Sequence, residues 1–201
     1  MIAIIDYGMG NLQSVQKAFT QLGAAAEIIS DAKKINDASH VVLPGVGAFC
    51  DAINGLEQAG FIESLIKSIQ AGKPFLGICL GLQMLFTESN EGGRYFGLNI
   101  IPGKVDRFLD TVKVPQIGWN QIKQTKPENP LLTGVPNNAY VYFVHSYYVI
   151  PDNQNVVATT TEYEITFTSM IWKDNLFATQ FHPEKSQKIG LRILANFAKL
   201  K

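Results

Sequence analysis

Short apolar runs alternate with helical periodicity through the first half of the chain. Ile2–Ile5 reads as a fully buried strand, followed by the glycine-rich turn Tyr7-Gly-Met-Gly-Asn11. A helix is predicted from about Leu12 to Leu22, with Val15, Phe19 and Leu22 on one face and Gly23 as its stop. Further strands follow at Ala25–Ile29 and at Val41–Leu43, the latter ending in Pro44-Gly-Val-Gly47. Asp51–Gln70 reads as helix, weakened by Gly55 and Gly60. Phe75–Ile78 is a fourth strand that runs straight into a helix beginning near Leu80.

Strand and helix in alternation, with short connections, indicate an α/β fold: one three-layer domain with a mostly parallel central sheet over residues 1–201. The second half adds strands, predicted at Lys104–Phe108, Tyr140–Val149, Val156–Tyr163, Glu164–Trp172 and Leu176–Phe181. A closing helix spans about Ser186–Leu200, with Ser186 as its N-cap, and Pro127–Pro136 is a loop-rich stretch inside the domain.

Composition changes this picture little. Of 201 residues 46% are hydrophobic and 17% charged, which is globular, and 17 basic residues balance 17 acidic ones. That balance provides no whole-chain field for nucleic acid or an acidic membrane. Phe75–Phe86, the longest apolar stretch, is too short to span a bilayer, and no secretory leader is visible, so a cytoplasmic setting is expected. Two cysteines do not make a disulfide framework, and the three dispersed histidines have no metal-ligand spacing. No metal or cofactor is expected. Gly8-Met-Gly10 lacks the third glycine of a dinucleotide fingerprint, although Glu27 lies near the expected ribose position.

Chemistry concentrates in Gly77-Ile-Cys79-Leu-Gly81, at the predicted strand-to-helix junction. This is the glycine-flanked nucleophile elbow with sulfur as nucleophile. The glycines permit a sharp turn, the helix N-terminus favours a thiolate, and the Leu80 amide points at any oxyanion. The ordinary alternative for Cys79 is a small buried hydrophobe, and Cys50 has no setting that suggests more. His182 ends a predicted strand, and Pro183 holds the chain extended so that His182 and Glu184 project together. Nucleophile, base and orienting acid are thereby supplied. Pro44-Gly-Val-Gly47 follows another strand at the same sheet edge and offers backbone amides as oxyanion donors. His145, among aromatics, is equally compatible with a satisfied core histidine.

Taken in order, Pro44-Gly-Val-Gly47, Gly77-Ile-Cys-Leu-Gly-Leu-Gln83 and His182-Pro-Glu184 resemble the oxyanion strand, elbow and His-Glu pair of class I, triad-type glutamine amidotransferases. Asp6-Tyr-Gly-Met-Gly-Asn-Leu12, Pro115-Gln-Ile-Gly-Trp-Asn120, Tyr142-Phe-Val-His-Ser-Tyr147 and His182-Pro-Glu-Lys-Ser186 resemble, more narrowly, the glutaminase subunits of imidazole glycerol phosphate synthases. Gln116 departs from that pattern, where histidine is common. The resemblance implies a flavodoxin-like fold and hydrolysis of L-glutamine by Cys79, His182 and Glu184, with Val46, Gly47 and Leu80 around the oxyanion. It assigns Gln83, Glu91, His145, Ser146 and Tyr147 to substrate binding. It further implies a heterodimer with a (β/α)8-barrel cyclase that receives the ammonia in histidine biosynthesis, through Asn11, Trp119, Asn120, Tyr142 and Lys185. Gly45 and Gly47 are expected to let the oxyanion strand flip, so that the hole completes only on partner binding. Service to another synthase, a free-standing cysteine hydrolase and a non-catalytic partner-binding role are the alternatives.

Overall fold

Fully apolar strands need helices on both faces, and the computed structural model, which describes residues 1–201, provides them. In chain order the elements are β1 (Ile2–Ile5), α1 (Leu12–Gln21), β2 (Ala26–Ile29), β3 (His40–Gly45), α2 (Phe49–Gln58), α3 (Ile62–Gln70), β4 (Phe75–Cys79) and α4 (Leu80–Gln83). Then come β5 (Phe86–Ser89), β6 (Tyr95–Phe96), β7 (Ile101–Arg107), β8 (Gln116–Gln124), β9 (Ala139–His145), β10 (Tyr147–Pro151), β11 (Val157–Tyr163), β12 (Ile165–Lys173), β13 (Leu176–Thr179) and α5 (Gln187–Phe197).

Strands β2-β1-β3-β4-β13 lie side by side and parallel, the order of a flavodoxin-like doubly wound sheet. Antiparallel β12 extends it, and β10, β7, β5 and β6 follow. Strands β11, β8 and β9 branch from β12. Successive residues of a strand point to opposite faces. Ala3, Ile5, Val41 and Leu43 therefore pack with Phe49, Leu56 and Leu65 of α2 and α3. Ile2, Ile4 and Val42 pack with Phe19 of α1 and with Ile193 and Phe197 of α5. Three layers result, as expected.

Several boundaries differ from the sequence reading. The predicted Asp51–Gln70 helix is two, broken at Gly60, whose φ of 70° leaves the helical region, and pinned by the fully buried Phe61. The helix after Cys79 lasts four residues. Leu82, Met84, Leu85 and Phe86 are all buried, leaving no polar face, and the Met84 and Leu85 carbonyls accept bonds from Leu98, Ile100 and Ile101 instead of continuing a helix. Tyr140–Val149 breaks at Ser146 into β9, which pairs with β8, and β10, which pairs with β7 and β12. Ser186 precedes α5 but does not cap it. Its hydroxyl donates to the His182 carbonyl (2.6 Å) and accepts from the Tyr142 amide (2.9 Å). Strands β5, β6 and β8 have no counterpart in the sequence reading.

Candidate active site

Cys79 ends β4 with φ 55° and ψ −107°, a backbone position few non-glycine residues adopt. The flanking glycines are fixed by close approach. A Cβ on Gly77 would lie 2.8 Å from the Gly81 carbonyl oxygen, and one on Gly81 would overlap the Leu43 carbonyl. So tight a turn exposes the sulfur at the sheet's C-terminal edge while leaving the residue 6% accessible. With only four residues in α4, the helix dipole expected to favour a thiolate is short. Side chains must carry most of that task.

Gly45 pairs with Cys79 across β3 and β4, so the Val46-Gly47 turn leaves the sheet beside the sulfur. Its glycines have different reasons. Gly47 has φ 103°, where a side chain is strained. Gly45 is confined: a Cβ there would sit 2.7 Å from the Tyr7 hydroxyl and 2.8 Å from Leu80 Cβ. Freedom to flip therefore fits Gly47, and dense packing accounts for Gly45. Beneath the turn, the Tyr7 hydroxyl donates to the Pro44 carbonyl (3.0 Å), and burial pushes the phenol's pKa upward. Tyr7 itself is buried, and Glu27 is engaged in an exposed pair with Lys34 (2.9 Å).

His182 leaves β13 two residues after Gln180, and its amide donates to the Tyr142 carbonyl (2.9 Å). Nδ1 lies 2.8 Å from Glu184 Oε1, with the two side chains 2% and 1% exposed. Burial alone would discharge this ring. The neighbouring Cys79 sulfur and Glu184 carboxylate outweigh it and lift the pKa to about 10, so the imidazole holds a proton through neutral pH. Nε2 has no hydrogen-bond partner of its own, and the sulfur is the polar group it adjoins.

A cavity of about 450 Å³ opens on Cys79. Every oxyanion and substrate residue expected from sequence lines it: Val46, Gly47, Leu80, Gln83, Glu91 and the His145–Tyr147 turn. Glu91 Oε2 accepts from the Phe49 amide at the start of α2 (2.9 Å), and burial raises its pKa. Gln83 Nε2 donates to the Tyr147 carbonyl (3.1 Å) and to Gln180 Oε1 (3.2 Å).

His145 is both a buried, satisfied histidine and a cavity residue. Nδ1 is 2.7 Å from the Tyr147 carbonyl, to which it must donate. Desolvation holds the ring's pKa down at about 4, so it is neutral and Nε2 must accept. Its partner there is the Gln116 side chain, 2.9 Å away, which meets it correctly only with the amide NH2 group turned inward. Gln116 thus takes a defined place behind the cavity wall.

Gln180 escaped the sequence reading. It is fully buried, and its Nε2 lies 3.7 Å from Cys79 Sγ. A glutamine near the end of the mostly apolar run Leu176–Phe181, where Thr179 is the one other polar residue, is the signal that could have found it.

Of the expected interface residues, Trp119 and Tyr142 form a cross-strand pair with ring centroids 6.0 Å apart, and Lys185 Nζ lies 6.0 Å from the Tyr142 ring. Trp119 is 46% exposed, which excludes core packing as its purpose. Lys185 joins this cluster to the cavity. Asn11 stands at the start of α1, where its Oδ1 accepts from Ser14 (2.8 Å). Asn120 is committed within the chain, donating to the Glu162 carbonyl (2.8 Å).

A buried cysteine elbow, a His-Glu pair and a glycine-rich turn leave the ends of adjacent parallel strands, the arrangement that acyl-transfer chemistry requires. A family model described as glutamine amidotransferase class-I matches residues 3–200, and the chain belongs to that family. Within it, the chain is similar to "Imidazole glycerol phosphate synthase subunit HisH" of Syntrophotalea carbinolica, at 53% identity over 98% of both chains. It is 54% identical to the protein of the same name from Geobacter metallireducens, over 98% of this chain and 97% of that one. Among solved structures, PurLQS from Thermotoga maritima superposes with a TM-score of 0.78 at 15% identity, covering 98% of this chain and 96% of that one. The glutaminase domain of Trypanosoma brucei CTPS gives 0.65 at 15% identity, covering 100% of this chain and 94% of that one. At these identities the structures speak for the fold alone.

Proposed function

We infer that this chain is the glutaminase subunit of an imidazole glycerol phosphate synthase, a single amidotransferase domain over residues 1–201 acting on L-glutamine in histidine biosynthesis. The observation that carries the chemistry is the strained Cys79 elbow, open to a cavity and backed by the buried His182–Glu184 pair.

With its proton already resting on His182 Nε2, as the raised pKa of that ring requires, Cys79 Sγ attacks the side-chain amide carbon of glutamine. Negative charge moves to the amide oxygen, where the amides of Val46 or Gly47 and of Leu80 receive it. The intermediate collapses as His182 returns a proton to the departing nitrogen, releasing ammonia and leaving a glutamyl thioester. Water then attacks the thioester, with His182 taking its proton, and glutamate departs as the sulfur anion and the imidazolium reform their pair. Glu184 holds Nδ1–H throughout, so that Nε2 serves the sulfur side. Gln83, Glu91 and the His145–Tyr147 turn grip the amino-acid end of the substrate. The carboxylate of Glu91 suits its ammonium.

The partner is a (β/α)8-barrel cyclase that takes the ammonia without release to water. Trp119, Tyr142 and Lys185 form a contiguous aromatic-cationic patch suited to anchor it, and the family resemblance assigns Asn11 and Asn120 to the same interface. A cytoplasmic setting belongs to the same proposal, resting on the family resemblance; no helix is long and apolar enough to cross a membrane. Glutamate release is the direct test, measured for the chain alone and with the cyclase and its nucleotide ligand, with Cys79→Ala as control. Activity confined to the liganded complex and absent from the control is expected. Equal turnover without the partner would instead identify a free-standing hydrolase.

A further inference from the structure

Gln180 has no part in the mechanism above, yet its side chain touches the reacting atom. An amide between a thiol and a second amide could turn either way, and here the neighbours decide. The Tyr147 carbonyl can only accept, so Gln83 must present its NH2 group there, at 3.1 Å. The same NH2 group faces Gln180 at 3.2 Å, so Gln180 Oε1 must accept. That leaves Gln180 Nε2 committed to Cys79 Sγ, at 3.7 Å. Its backbone is equally fixed, the Gln180 amide donating to the Ser169 carbonyl (2.9 Å).

We propose that Gln180 is a catalytic residue: its carboxamide N–H, aimed by the Tyr147 carbonyl through Gln83, donates a hydrogen bond to the Cys79 sulfur and steadies its negative charge before attack and on release of the thioester. The proposal rests on the reading of Cys79 as nucleophile. A sulfur anion only 6% exposed has little water to stabilise it, and the four-residue α4 supplies a short dipole. His182 cannot serve as a constant donor, because it surrenders its proton to the leaving ammonia. A carboxamide does not titrate, and its N–H stays on the sulfur at every step.

The test is alkylation of Cys79 by iodoacetamide between pH 5 and 10, read at that residue by mass spectrometry so that Cys50 does not contribute. The full chain is compared with Gln180→Met, which keeps the length of the side chain and removes the donor. Other titratable groups around the sulfur are His182 with Glu184 behind it, Tyr7 from the β1 turn, His145 from β9, and Glu91 and Lys185 on the cavity wall. All are retained in the variant. The midpoint of the pH–rate curve is expected to rise by about one unit, a roughly tenfold loss of rate below it. An unchanged curve in a folded variant overturns the proposal.

Should the methionine variant fail to fold, the parent protein still decides. The Gln180 side-chain amide resonance is expected to shift with the same midpoint as the alkylation rate and to be static in Cys79→Ser; a static signal in the parent overturns the proposal. An electrophilic glutamine analogue separates the two claims. Failure to label Cys79 in the parent removes the nucleophile reading and the proposal with it. Labelling together with indifference to Gln180 removes the proposal alone.

Discussion

Glu184→Gln isolates what the buried carboxylate contributes to turnover. In the parent, Glu184 Oε1 lies 2.8 Å from His182 Nδ1 with both side chains shielded from water. A hydrogen bond to a charged group of this kind contributes about 1.5–3 kcal/mol. At 1.36 kcal/mol per pKa unit, losing the charge lowers the ring by about one to two units from its value of about 10. The sign follows: a base whose pKa is raised holds its proton up to that pKa, so the alkaline limit of activity moves down by the same amount. Orientation is lost as well. Glutamine can turn its NH2 group to Nδ1, which selects the neutral tautomer with Nε2–H once the ring has given its proton to ammonia, and that form cannot take the proton of the attacking water. Charge and tautomer together amount to about 3–4 kcal/mol, or a 10²–10³-fold fall in kcat. The assay is steady-state glutamate release by the liganded cyclase complex across pH 6–10. Glu184 does not line the glutamine cavity, so KM stays within about twofold. A kcat within threefold of the parent, with the alkaline limb unmoved, would refute this account of the pair.

Gly81→Ala drives a methyl into the Leu43 carbonyl and is expected to lower stability by about 3 kcal/mol, seen as a reduced urea midpoint; parental stability would show that the elbow yields more readily than its geometry implies. His145 is held neutral, with its pKa depressed to about 4, so its ring nitrogens should show no titration in NMR spectra between pH 8 and 5.5. Gln116→Leu strands the buried Nε2 of that ring and is expected to destabilise the chain by about 1–3 kcal/mol in chemical unfolding. Trp119→Ala should leave free-chain stability within about 0.5 kcal/mol while weakening cyclase binding by about 2 kcal/mol, roughly thirtyfold by calorimetry; unchanged affinity would move the docking surface elsewhere.

The parallel half of the sheet was legible because its strands are buried on both faces and read as continuous apolar runs: Ile2–Ile5, Val41–Leu43, Phe75–Ile78. The triad was legible for a different reason. Gly77 and Gly81 flank Cys79 for steric causes that leave a trace in sequence, and His182 and Glu184 stand two residues apart. Pro183, however, opens a 3-10 turn over Pro183–Lys185 and does not hold the chain extended as expected, because proline's fixed φ suits the first position of such a turn. What escaped depended on distant contacts. Strand β8 inverts the usual pattern, with polar Gln116 buried and Ile117 and Trp119 exposed, since its inner face meets His145 and its outer face is free. Alternation could not identify it as a strand for that reason. Gln180 was hidden likewise, because its partners Gln83 and Cys79 lie about a hundred positions earlier in the chain.

That inversion in β8 also ties the proposed docking surface to the chemistry. Ile117 and Trp119 point outward, while Gln116, one residue away on the opposite face, reaches His145 at 2.9 Å. From His145 the hydrogen bonds continue through the Tyr147 carbonyl to Gln83, then to Gln180 and the sulfur, each link fixed in polarity by the one before. A shift of β8 by a partner seated on Trp119 would therefore bear on His145 directly, without passing through the oxyanion turn. Gln116 is the link where the two routes separate, for it lines neither the cavity nor the exposed patch. Substituting it cuts the β8 path and leaves the turn intact. The extent to which Cys79 reactivity still responds to the docked cyclase in Gln116→Leu then measures how much of the response travels through the strand and how much through Val46-Gly47.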